Sequence, residues 1–132
     1  MALDDLRKNG MMAHLLASIE RGEDIGHYGR LVFAMVARHF LPENKLVELL
    51  VQGGEDGEER ARGLVAQVNA HDYNPPRRER ILEWQAKQEF RILPEDGDAD
   101  AANVYRDLEF PQHVYDRITE YYEHRGEAEA SS

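Results

Sequence analysis

The stretch RLVFAMVARHFLPENKLVELLVQGG, residues 30–54, decides the fold class. Leu31, Val32, Met35, Val36, His39 and Phe40 recur at the spacing of one helical face. Pro42 has no N–H to donate and its ring crowds the preceding turn. It therefore ends that helix and suits the first turn of the next, where Leu46, Val47, Leu49 and Leu50 are apolar. Gly53-Gly54 stops the second helix.

The same grammar extends in both directions. Asp4 or Asp5 can cap a helix running to about Ile19, with Leu6, Met12, Leu15, Leu16 and Ile19 on one stripe. Gly10 weakens its middle by about 1 kcal/mol relative to alanine. After the glycine stop, a helix from about Glu58 to Asn69 turns Leu64, Val65 and Val68 inward. Tyr73-Asn74-Pro75-Pro76 forces an extended turn, because residues before proline avoid the α region. Pro76 opens a helix through Arg80, Ile81, Trp84 and Gln88; Pro94 to Asp100 is an acidic loop. Short helices near 101–108 and 112–124 finish the chain, with Val114, Ile118 and Tyr121 apolar. No strand pattern competes. The sequence predicts an all-α fold: a compact single-domain bundle of about six to seven helices over residues 1–125, then a frayed acidic tail, 126–132.

With 132 residues, 42% of them apolar, the chain can bury a real core. No cysteine is present, which excludes disulfides, thiol catalysis and iron–sulfur ligation. No run approaches the roughly 18 to 20 apolar residues of a membrane span, and residues 1–7 lack a basic stretch leading into an apolar one. A cytoplasmic protein with no membrane partner is expected.

The formal charge of −10 argues against nucleic acid, but it is unevenly spread. Residues 60–91 carry 7 basic and 4 acidic side chains, a basic island between flanks of 6 against 11 and 3 against 11. Arginine outnumbers lysine 13 to 3, and arginine forks onto phosphate and stacks on bases.

A search for catalytic machinery finds little. The six histidines are scattered and none forms HExxH; His39, on an apolar stripe, reads as a core or boundary histidine. Gly53-Gly54 lacks the context of a phosphate loop, and acid pairs such as Glu58-Glu59 read as solvated surface. No catalytic residue, no metal and no cofactor is expected: the chain works by binding.

Two clusters carry binding chemistry. Gly26-His27-Tyr28-Gly29-Arg30 opens a helix, where free N–H groups and the helix dipole suit a phosphate and His27 and Arg30 add donors. The competing reading is a plain loop-to-helix junction in which Arg30 pairs with Asp24 or Glu23. The second cluster is Tyr73 to Arg80, with Trp84 one turn later. Arg77, Arg78 and Arg80 at a helix start oppose its dipole, so structure alone does not ask for them; beside aromatic rings they suit single-stranded nucleic acid. The competing reading is an exposed basic turn offset by nearby acids, with Tyr73 and Trp84 in the core.

In these clusters the chain resembles the C-terminal domain of the large subunit of archaeal and eukaryotic DNA primase. His27-Tyr28-Gly29-Arg30 matches that family's His-x-x-Arg stretch opening a long apolar helix. The acidic amphipathic residues 42–51, the turn Tyr73-Asn74-Pro75-Pro76 and the segment Ala101-Ala102-Asn103-Val104-Tyr105 follow in the family's order. The resemblance spans about residues 9–122. It departs from the family at the four cysteines of the iron–sulfur cluster, whose places fall near Met11, Arg78, Leu93 and Ala102. The resemblance implies a non-catalytic accessory domain. It would bind the initiating nucleotide triphosphate and template or primer nucleic acid, single-stranded DNA or a primer–template junction, for a catalytic primase subunit or domain. His27, Tyr28 and Arg30 would take the phosphates; Arg77, Arg78, Arg80 and Trp84 offer a template-facing surface by their chemistry. From another class, an acidic helical adaptor for a protein partner fits the net charge.

Overall fold

The computed structural model describes residues 2–94 and 103–117, and among them eight helices and no strand. They are α1 (Ala2–Leu6), α2 (Gly10–Glu20), α3 (Gly26–Ala37), α4 (Glu43–Gln52), α5 (Glu58–His71), α6 (Arg78–Gln85), α7 (Val104–Asp107) and α8, whose described part is 112–117. The fold is all-α, as the periodicity requires.

Helix α3 is the axis of the assembly. Its residues 32–37 are all buried, a run without the polar face of a surface helix, and α2, α4, α5 and α6 pack around it. Phe33 is fully buried, with Leu15, Leu16, Ile19, Leu46 and Leu50 in the same core. Met11 and Leu93, two of the positions where the resemblance expects a cysteine, are ordinary core side chains, while Arg78 lies exposed on α6.

Three boundaries differ from the sequence expectation. The first helix is broken at residues 7–9 rather than continuous from Asp4 to Ile19. Asn9 is fully buried there; its Oδ1 accepts the Met12 N–H at 3.0 Å, and its Nδ2 donates to Asp107 at 3.0 Å. An asparagine gains more as a cap than inside a helix, and here it also ties α2 to α7. Helix α5 runs on to His71 and is closed by Asp72 in the left-handed region, φ 48°. Helix α6 begins at Arg78, not Pro76, because residues 75–77 stay extended, and it ends at Gln85. The acidic loop beyond Pro94, the ends proposed at 124 and 125, Ile118, Tyr121, Ala102 and the 126–132 tail lie outside the described residues.

Candidate functional site

The two sequence clusters meet through one aromatic contact: Tyr28 of α3 stacks on Trp84 of α6, centroids 5.9 Å apart and planes at 22°. Their chemistry is otherwise divided.

At the start of α3 most polar groups are met by the chain itself, although Arg30 Nε, among the described residues, is buried without a hydrogen bond. Arg30 keeps only 12% of its side chain exposed. Its Nη1 lies 2.6 Å from Asp24 Oδ1 and donates to the Gly53 carbonyl at 3.3 Å; its Nε lies 3.3 Å from Glu55 Oε2. The Gly26 N–H donates to Asp24 at 2.8 Å and the Tyr28 N–H to Gln88 Oε1 at 3.0 Å. Gln88 also donates from Nε2 to the carbonyls of Ile25 and Phe90, both at 3.1 Å. An added Cβ on Gly26, whose φ is +79°, would lie 2.5 Å from that amide oxygen, so glycine is needed here for conformation and for room. The Gly26 N–H, then Arg30, holds the Asp24 carboxyl below its ordinary pKa. His27 is exposed, edge-on to Tyr28. The donors of Arg30 thus face Asp24, Glu55 and Gly53; the contact with Asp24 is one that the junction reading names.

The second cluster builds a cleft of about 910 Å³. The turn 73–77 forms one wall, Arg80 and Trp84 of α6 another, Leu31 and Met35 of α3 lie along it, and Tyr105 and Arg117 complete the rim. Of the arginines picked from sequence, Arg77 and Arg80 line the cleft and Arg78 does not. Three guanidinium groups (Arg77, Arg80, Arg117) stand against two carboxylates (Glu79, Glu83) among the lining residues. Arg80 pairs with Glu83 at 3.3 Å with both side chains largely exposed, a bond worth at most about 1 kcal/mol and readily exchanged for another anion. Tyr73 is one of the most exposed large apolar side chains, and its ring stacks on His71 at 5.1 Å.

The turn is held from several sides. The Tyr105 hydroxyl donates to the Pro75 carbonyl. Arg38 donates to Asp72 Oδ1 at 2.8 Å, to the Tyr73 carbonyl at 2.6 Å and to Asn69 at 3.5 Å. Arg117 donates to the Asp72 carbonyl at 2.9 Å and lies 3.0 Å from Asp72 Oδ2. Tyr105 and Arg117 were not among the residues picked for binding. They reach the cleft from more than 20 residues downstream, and no local pattern marks them for it. Among the described residues no group of three or more His, Asp or Glu is arranged to hold a metal ion, and no helix is long and apolar enough to cross a membrane.

No protein-family model matches the chain, and no curated protein or solved structure is detectably similar to it.

Proposed function

We propose that this domain binds single-stranded nucleic acid in the cleft between the 73–77 turn and α6. One observation carries the reading: Tyr73, Trp84 and Tyr105 share a single cleft with Arg77, Arg80 and Arg117. Every base has a face that stacks on such rings, and every nucleotide adds a phosphate for a guanidinium. The volume falls within the ordinary range for small-ligand pockets, about 300–1,000 Å³, and suits a nucleotide or two of a strand. The role is that of a binding module without chemistry of its own. The order of motifs shared with the primase large subunit supports placing it beside a primase-type polymerase, where it would hold the template strand and the initiating nucleotide.

The chain has one tryptophan, so Trp84 reports on the cleft directly. A short single-stranded oligonucleotide should quench its fluorescence, with an affinity that falls as salt rises. Arg80→Ala should lower the salt slope by about 0.7 for each phosphate contact it removes. Fluorescence that ignores the oligonucleotide, or an affinity that ignores salt, sinks the reading. The net charge of −10 then favours the acidic adaptor, with a protein partner.

A further inference from the structure

At the cleft edge, one carboxylate serves two arginines. Asp72 Oδ1 accepts from Arg38 at 2.8 Å and Oδ2 lies 3.0 Å from Arg117, while half of the Asp72 side chain, 52%, faces solvent. Arg38 is 11% exposed and Arg117 33%. The donors outnumber what the carboxylate accepts: among the described residues, Arg38 Nε and Arg117 Nη2 are buried without a hydrogen bond. Leaving such donors unmet is costly, on the order of 1–3 kcal/mol each. Burial first, then the charge of Arg38 and the neighbouring His113, lowers the pKa of His39 to about 4. Asp72 also holds a left-handed backbone, φ 48° and ψ 47°, that a non-glycine residue adopts at a cost. An aspartate that is strained, solvent-facing and too small for its partners is built to be displaced.

We propose that Arg38 and Arg117 form a phosphate site, and that the Asp72 carboxylate occupies it as an internal stand-in until a phosphate group arrives. The inference deepens the strand-binding reading and rests on it for the identity of the ligand. A phosphate approaching from the solvent side meets the Nη donors that now face Asp72. The bidentate fork of arginine suits the additional oxygens of the phosphate. Because Arg117 lines the cleft and Asp72 precedes Tyr73, a phosphate here belongs to a nucleotide whose base lies in the cleft.

The test uses inorganic tripolyphosphate, which has no base and needs no stacking. It is titrated calorimetrically into the full chain, Asp72→Asn and Asp72→Gly; the glycine variant keeps the left-handed turn without strain. Both variants should bind it roughly two- to fivefold more tightly than the parent, the worth of an exposed ion pair removed as competitor. Adding Arg117→Gln should abolish the gain. Unchanged or weaker binding in the variants, or loss of the fold in both, makes Asp72 a structural clamp and overturns the proposal. A 5′-hydroxyl strand that quenches Trp84 while tripolyphosphate gains nothing defeats this inference and leaves the cleft reading intact. A tripolyphosphate gain without strand binding upholds the site and retires that reading. In the glycine variant, a gain confined to 5′-triphosphorylated strands assigns the site to a terminal triphosphate; a gain shared with 5′-hydroxyl strands assigns it to the backbone.

Discussion

The start of α3 and the turn before α6 look alike as sequence: each sets an aromatic residue and arginine beside a helix start. In three dimensions they part company. Arg30 is met by Asp24, six residues back, and by Glu55 and the Gly53 carbonyl, more than 20 residues ahead. Arg80 is met by one exposed glutamate on its own helix. Arg30 is 12% exposed and shared between two carboxylates and a carbonyl, whereas Arg80 is 62% exposed and meets a glutamate that is itself exposed.

The comparison predicts opposite phenotypes. Arg30→Ala should destabilise the fold by on the order of 2–3 kcal/mol, since it leaves the mostly buried Glu55 without its cation. Chemical denaturation measures this, and oligonucleotide affinity of the folded fraction should not change. Arg77→Ala with Arg80→Ala should do the reverse. Its unfolding midpoint should stay close to the parent's while strand affinity drops by on the order of 1.5–3 kcal/mol, the range for hydrogen bonds to charged groups. If both variants lose stability and neither loses binding, the contrast collapses.

A smaller effect separates the regions through Gln88. Removing its amide in Gln88→Ala uncaps α3 and should lower stability by about 1 kcal/mol, read as a lower denaturation midpoint, while the cleft side chains remain. Acid supplies another probe. The pKa of His39 is depressed, so the folded state binds fewer protons than the unfolded one. Its contribution is complete above pH 6.5 and is lost as pH falls toward about 4. The Asp24 and Asp72 carboxyls, both held below their ordinary values, lose theirs at still lower pH. A denaturation midpoint that is flat between pH 7 and 4.5 would contradict the His39 environment. The smallest effect is a gain. Gly63 sits in α5 with open space where a Cβ would go, so Gly63→Ala should stabilise the protein by about 0.5–1 kcal/mol in the same assay.

The helical architecture was legible because it depends on periodicity and on stop signals, both local. Leu31 to Phe40, Pro42 and Gly53-Gly54 could be interpreted without knowing anything else in the chain. The break at Asn9 was not legible, because what buries that side chain includes Asp107, 98 residues away. The cleft was half legible. Tyr73, Arg77, Arg80 and Trp84 announce themselves by a composition that a helix start does not ask for. Arg117 and Arg38 do not, since one is an ordinary arginine on α8 and the other the C-cap of α3 until Asp72 is placed between them. The contacts of Arg30 with Glu55 and the Gly53 carbonyl were not legible for the same reason: those residues are distant in sequence.

The Gln88 cap has a consequence for the order of events during synthesis. Helix α3 leaves the ribosome well before the residue that completes its first turn, 60 positions further along. At about 5–20 residues per second, that interval is roughly 3–12 s. Through it α2, α4 and α5 are already available to pack on the central helix, but its first turn lacks the Gln88 amide. The start of α3 is therefore completed late, when the Gln88 side chain reaches back to the Ile25 carbonyl and the Tyr28 amide. A chain truncated before Gln88 would keep most of its apolar side chains and still lack the latch that sets where α3 begins.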